Sequence, residues 1–216
     1  MRLQLIASLG GALPGSPAQQ VFAPELAYGR HAGPPASGAR QAAVLVLLYP
    51  SDEEWYVPSM VRTLAMKEHA GQIALPGGSV DPDETPSQTA LREFEEELGV
   101  GREGIEVLGA LTPIYVFNSN FFVKPYLAIC KARPAFRPSS AEVAELIEIP
   151  LQALSAPGNH SSHQILRRGL KFRAPHIQIG QHRVWGATCM ILAEVIALMS
   201  RCPVFVSTGC AGLGGP

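Results

Sequence analysis

No apolar stretch in these 216 residues approaches the roughly 20 that a membrane-spanning helix requires, so a transmembrane reading fails. Net charge is scarce as well. Seventeen basic residues against 18 acidic ones leave no overall field to attract nucleic acid or an anionic membrane, and a charged ligand would have to be met locally. Cysteine is sparse: Cys130, Cys189, Cys202 and Cys210 form no C-x-x-C pair and lack the density of a disulfide scaffold, which points to reduced, buried thiols. The amino-terminal apolar run is broken by Gly10 and Gly11 and lacks a clean small-x-small cleavage site. That argues against secretion and makes the cytoplasm the expected compartment. No internal repeat is visible.

Apolar and aromatic residues make up 47% of the chain and charged ones only 16%, enough to build a sizeable core. Residues 1–40, rich in Pro, Gly, Ala and Ser after a short helical stretch at Arg2 to Leu9, read as an extension packed on or near a domain spanning 41–200. Residues 201–216 read as a Gly-rich tail. Within the domain, "AAVLVLLYP" (42–50) has the β-branched and Leu-rich pattern of a buried central strand. "EWYVPSMVR" (54–62) follows as a hairpin partner in which Pro58 favours an edge or a bulge. Further strands are expected at 105–112, 121–132 and 144–149, with "HQILRR" and "HIQIG" as another pair. A helix from Trp185 to Ser200, apolar nearly all round apart from Glu194, should pack on the sheet.

A second helix is well marked. Thr85 can cap it, Pro86 suits its first position, Gln88 completes a capping box, and Gly99 can end it in the left-handed conformation. Ser87, Ala90, Leu91, Phe94 and Leu98 fall on one arc, which should face the core. Its last turns hold Glu93, Glu95, Glu96 and Glu97, where the macrodipole disfavours anions and where Glu93 and Glu97 repel at i,i+4. At 100° per residue, Glu93, Glu96 and Glu97 converge while Glu95 points away. Divalent ions such as Mg²⁺, bound through carboxylates, water and substrate phosphate, would offset that repulsion. A solvated acidic face is the plainer reading of three glutamates taken alone. The Gly-rich turn "LPGGSVDPDETP" just upstream, where backbone can approach a ligand closely, makes the cluster less ordinary.

Gly78, Glu84, Arg92, Glu93, Phe94, Glu96, Glu97, Gly99 and Val100 fit G-x5-E-x7-R-E-U-x-E-E-x-G-U without a departure, U being a bulky apolar residue. In this the chain resembles the Nudix hydrolases. The resemblance implies an α/β fold, an α/β/α sandwich around a mixed sheet, and hydrolysis of a nucleoside diphosphate linked to another moiety with Mg²⁺ or Mn²⁺. It puts Glu93, Glu96 and Glu97 at metal-ligand positions, joined by the Gly77 carbonyl. Gly78, Glu84, Arg92 and Gly99 take structural positions, with Glu84 and Arg92 bracing the loop against the helix. Glu93, Glu96 and Glu142, the last from "SSAEVAELIEIPL", are the catalytic candidates, although the family draws its general base from different places.

The segment "VRTLAMKEHAGQIALPGG" further resembles the extension of coenzyme A pyrophosphatases, L-L-T-x-R-[SA]-x3-R-x3-G-x3-F-P-G-G. Arg62, Gly71, Pro76, Gly77 and Gly78 match it. Pro58, Ser59 and Met60 replace L-L-T, Thr63 replaces Ser or Ala, Lys67 replaces Arg, and Leu75 replaces Phe. This resemblance implies a coenzyme A-like dinucleotide substrate, cleaved to adenosine 3′,5′-bisphosphate and 4′-phosphopantetheine, with Arg62 and Lys67 as phosphate partners. ADP-ribose or another nucleoside diphosphate compound is the alternative substrate, and a non-catalytic binding module the alternative class. His69 reads as a hydrogen-bonded structural histidine, and Phe117, Phe121 and Phe122 as core. A homodimer, the commonest symmetric assembly, would be unsurprising.

Overall fold

The computed structural model describes residues 2–27, 29–65, 69–167 and 169–202. Lys67 and most of the Gly-rich tail, with Cys210, lie outside them. The buried run becomes β1 (Arg40–Ser51), the spine of a mixed sheet. Alternation along β1 serves two cores: Ala43, Leu45, Leu47 and Tyr49 enter one, while Ala42, Val46 and Leu48 enter the other. Coverage of both faces is why the run is apolar throughout instead of alternating.

On one side β1 runs parallel to β7 (Phe121–Ile129), from Arg40 opposite Phe121 to Leu48 opposite Ile129. Strands β5 (Glu106–Ala110) and β6 (Ile114–Val116) then pair antiparallel with β7. On the other, β1 turns into β2 (Glu54–Arg62) and also pairs with β4 (Gly77–Ser79). Strand β2 carries β8 (Val143–Pro150) and the short β3 (Ile73–Ala74). Strand β2 as a whole lies inside the sheet, but the β1 ladder ends at Tyr56 and the β3 ladder starts at Met60, so Pro58 sits on a locally open flank, paired only with Glu148 of β8; the irregularity of β2 falls at Val61/Arg62.

The expected "HQILRR" and "HIQIG" pair belongs to a separate antiparallel sheet of β9 (His160–Arg167), β10 (Leu170–Ile179) and β11 (His182–Trp185). Helix α3 (Pro86–Leu98) covers one face of the main sheet through Ala90, Phe94 and Leu98. Thr85 and Gln88 make the reciprocal capping box, and Gly99 ends the helix at φ 65°. Helix α5 (Gly186–Met199) covers the opposite face, with α1 (Arg2–Gly10) and α2 (Gly15–Gln20) packed on it and α4 (Leu151–Ser155) alongside. The result is an α/β/α arrangement around a mixed sheet. No helix among the described residues is long and apolar enough to cross a membrane.

The expected core arc of α3 is corrected at two places. Ser87 and Leu91 are only partly buried, while Thr89 and Glu97 are buried fully. Each of the two polar groups has a partner that accounts for it: Thr89 Oγ1 donates to Glu84 Oε2 at 2.8 Å, and Glu97 accepts from the Gly77 amide at the start of β4.

Candidate active site

Two glycines let strand β4 lie close to its neighbours on both sides, Gly77 against β1 and Gly78 against the end of α3. At Gly77, whose φ is 154°, a Cβ would collide with the Ala43 carbonyl; at Gly78 it would collide with the Glu93 carboxylate. The Gly77 amide donates to Glu97 Oε2 at 2.8 Å, and Arg62 Nη1 lies 3.3 Å from Glu97 Oε1. Arg62, expected to meet substrate phosphate, thus pairs with a glutamate of the box while still lining the cleft.

Arg92 is the hub of the loop–helix junction. Its Nε donates to both Glu84 oxygens at 3.0 and 3.1 Å, and Nη2 reaches the Ser79 carbonyl at 3.4 Å. These bonds, with that from Thr89, hold the Glu84 carboxyl below its ordinary pKa. Arg92 Nη1 meanwhile bridges Glu93 Oε1 at 2.9 Å and Glu96 Oε2 at 3.0 Å. At the helix end, a Cβ on Gly99 would strike the Arg137 carbonyl.

The glutamates differ sharply in surroundings. The Glu97 side chain is 1% exposed, that of Glu93 17%, and that of Glu96 57%. Burial drives the Glu97 pKa up to about 8, the Gly77 amide and Arg62 opposing it and the charges of Glu93 and Glu142 adding to it. Glu93 is also raised, first by burial and then by Glu96 and Glu142, with Arg92 pulling the other way. Glu93, Glu97 and Glu142 line one cleft of about 910 Å³ together with Arg62, Gly77 and Gly78; Glu96 does not line it. Glu142 is carried there by the loop before β8, its carbonyl accepting from Thr63 N at 2.9 Å.

Among the described residues, no set of three or more His, Cys, Asp or Glu side chains is drawn together tightly enough to hold a metal ion as the side chains stand. Their donor chemistry nevertheless fits a hard divalent cation. All the donors are oxygens, they are close enough to raise one another's pKa, and a guanidinium already occupies the position between Glu93 and Glu96.

The cleft reaches well beyond the box. It runs over Arg40, Ala42 and Val44 on the α5 face of the sheet, under Ala187, Met190 and Ile191 of α5. His69, at φ 58°, lines it and bonds Gln72 Oε1 at 2.9 Å. Phe117 and Phe121, expected in the core, also line it, each beneath a guanidinium at 3.9 Å, from Arg30 and Arg40 respectively; Phe122 does not. Leu26 and Ala27 of the amino-terminal segment and Phe172 and Trp185 of the small sheet complete the wall. Sequence reasoning passed over these because they sit in a stretch without periodicity and in strands whose partners are set only by the tertiary fold.

The fold, the loop–helix brace and the row of acids define a Nudix site, and the NUDIX domain family model matches residues 39–169. The chain belongs to the Nudix family and is a Nudix hydrolase. It is 35% identical over 175 residues to the uncharacterized Nudix hydrolase NudL of Pectobacterium atrosepticum, covering 78% of this chain and 88% of that one. With the NudL of Photorhabdus laumondii it shares 33% over 135 residues, covering 62% and 72%. Among solved structures, the Nudix hydrolase RenU of M. smegmatis superposes with a TM-score of 0.50 at 18% identity, covering 90% of this chain and 98% of that one, a likeness of fold alone. Nudix hydrolases generally use divalent metal ions and act on small nucleoside diphosphate compounds.

Proposed function

We propose that this hydrolase cleaves the pyrophosphate bond of coenzyme A or a derivative to adenosine 3′,5′-bisphosphate and 4′-phosphopantetheine, with Mg²⁺ or Mn²⁺ as the working ion. One observation carries the reaction type: Glu93, Glu97 and Glu142 open into the same cleft as Arg62, beside a glycine pair that admits close approach. The substrate rests on Arg62, Gly71, Pro76, Gly77 and Gly78 at the spacing of the coenzyme A extension, with Lys67, outside the described residues, as a further phosphate partner. The buried free thiols Cys130, Cys189 and Cys202 suit a reducing compartment such as the cytoplasm.

In this reading Glu93, Glu96 and Glu97, with the Gly77 carbonyl, would hold the metal. When bound, such an ion lowers the pKa of a coordinated water and neutralises charge on the pyrophosphate oxygens. Glu97 is fixed by the Gly77 amide and so ties the helix to β4. Arg62 moderates its charge and remains available to substrate at the cleft wall. Proton acceptance falls to Glu93 or Glu142, both facing the cleft. Glu96, turned to Arg92 and largely exposed, serves the metal before the proton.

A panel of coenzyme A, ADP-ribose and other nucleoside diphosphate compounds, run with Mg²⁺ and with Mn²⁺ and read by product mass, tests this. Phosphopantetheine should dominate. Much faster release of AMP from ADP-ribose would overturn the substrate assignment and leave the chemistry standing.

A further inference from the structure

The small sheet gives the cleft only part of one face. Strand alternation puts Phe172, His176 and Gln178 of β10, His163 of β9, and Arg183 and Trp185 of β11 on the same side, with His163 opposite Ala174, His176 opposite Trp185 and Gln178 opposite Arg183. Phe172 and Trp185 line the cleft described above. His163, Gln178 and Arg183 instead line a second cavity of about 350 Å³, which shares Gln72, Ile73 and Trp185 with the first.

This second cavity is short of negative charge. Among the described residues no carboxylate lines it, and none pairs with the exposed Arg183 guanidinium. A neighbouring acid, Glu145 of β8, is met by His182 Nε2 at 3.2 Å. Beside Arg183 stand His163 and the buried His176, Nδ1 to Nδ1 at 3.1 Å, and the His163 ring meets Trp185 edge-on at 5.8 Å. Burial lowers the pKa of both imidazoles and the Arg183 charge lowers it further, so both are mostly neutral at pH 7. The guanidinium is the standing charge of the cavity.

A guanidinium without a counter-ion, set among imidazole and amide groups, favours an anion over a cation or an apolar group. Its planar fork fits two oxygens of a carboxylate or a phosphate. Phosphate is the better match, because a tetrahedral anion presents its remaining oxygens in other directions, where His163 and the Gln181 amide can donate. Gln72 Oε1 is bonded to His69 Nδ1 at 2.9 Å, which leaves its amide nitrogen to donate as well. The volume lies at the low end of the ~300–1,000 Å³ range of small-molecule sites, enough for a phosphate on a short organic stem.

We propose that this cavity is a second anion site, apart from the glutamate cluster, which takes inorganic phosphate or the phosphate of a monoester between Arg183, His163 and the Gln72 and Gln181 amides. The inference does not depend on which pyrophosphate the enzyme cleaves. Trp185 and Gln72 are walls of both cavities, so an anion held here also touches the wall of the cleft.

The test is calorimetric titration of sodium phosphate into the full chain without divalent metal, with chloride holding the ionic strength constant. Wild type should show saturable binding of phosphate. Arg183→Gln should weaken it at least about tenfold, the low end for losing a hydrogen bond to a charged group. Arg183 is exposed and gives up no partner among the described residues, so this variant should fold as wild type does. Arg102→Gln removes the same charge from an exposed pair with Glu95 and should bind phosphate as wild type does. No saturable binding in wild type, binding that survives Arg183→Gln, or an equal loss in Arg102→Gln overturns the inference, and the first of these decides without any variant. Turnover then separates the two sources of the anion. Competition between phosphate and substrate that disappears in Arg183→Gln gives the cavity to a phosphate of the substrate, whereas the binding loss without a change in competition gives it to free phosphate.

Discussion

Two buried glutamates, Glu97 at the end of α3 and Glu194 in the middle of α5, face different fates. Glu194 is fully buried, and its carboxylate accepts from Thr112 Oγ1 at 2.6 Å, Thr112 N at 3.2 Å, Gly15 N at 3.1 Å and Gln19 Nε2 at 2.9 Å. It is satisfied by neutral donors from two other parts of the chain, α2 and Thr112, which it thereby holds to α5. Glu97 is nearly as buried but has one amide and one guanidinium at 3.3 Å, beside two other acids that raise its pKa. The first is a finished network and the second an unfinished one. Buried charge left short of partners beside a cleft is a mark of a binding or reacting site, whereas the same group with its lone pairs filled is a fastener.

The sharpest way to break that comparison is Glu97→Gln. Turnover should fall by roughly a hundredfold to a thousandfold, the size of losing one fixed group from the charge-stabilising apparatus. Thermal stability should be unchanged or raised, since an amide is cheaper to bury than this carboxylate. Near-wild-type turnover would refute the role; a collapse in melting temperature would move Glu97 to the same class as Glu194.

Glu194→Ala should do the opposite. It leaves the Thr112 and Gly15 amides and the Thr112 hydroxyl without their acceptor, while Gln19 Nε2 keeps the Thr112 carbonyl, which costs at least about 3 kcal/mol at ~1–3 kcal/mol per orphaned group. Urea unfolding followed by circular dichroism measures it. A loss below about 1 kcal/mol would show that water or neighbouring groups replace the carboxylate.

The two glutamates were not equally legible in the sequence. Glu97 stood out because Gly78, Glu84, Arg92, Glu93 and Glu96 surround it at fixed spacings within one loop and one helix, and local geometry suffices to bring them together. The capping box, the Gly99 stop and the buried strand β1 were readable for the same reason. Glu194 was visible only as an interruption in an apolar helix, because its partners at Gly15, Gln19 and Thr112 lie more than 80 residues away. Helix α2 was hidden by its glycine, proline and short length, and Phe172 and Trp185 by strands whose faces are decided by what packs on them. Glu142 was placed by likeness to a family; the structure puts it in the cleft through the bond from Thr63 to its carbonyl.

A smaller effect separates the glycine pair from its neighbours. Gly78→Ala should lower kcat/KM by about tenfold, because the methyl needs the space held by the Glu93 carboxylate and must push it from the cleft. Gly101→Ala, two residues past the Gly99 cap where a Cβ meets nothing within 4 Å, is the control and should leave kcat/KM unchanged. Equal effects at the two positions would remove the argument that close approach is what Gly78 supplies.

Glu148 offers the mildest contrast, a half-buried carboxylate with its own cation. Arg133 donates to it at 2.6 and 2.7 Å and Tyr49 at 2.5 Å, and the Arg133 bond, acting against burial and helped by Tyr49, holds its pKa below the usual carboxylate range. A carboxyl that binds its proton less readily when folded than when unfolded adds stability above the unfolded pKa of about 4.3, and that contribution drains away as pH falls through the lower folded value. Because Arg133 is 47% exposed, solvent screens the pair, and Glu148→Gln should cost no more than about 1 kcal/mol at pH 7. The difference in melting temperature between wild type and Glu148→Gln should shrink steadily below pH 4. A gap that persisted into acid would mean that Glu148 acts through packing or neutral hydrogen bonds, as a fastener of the Glu194 kind.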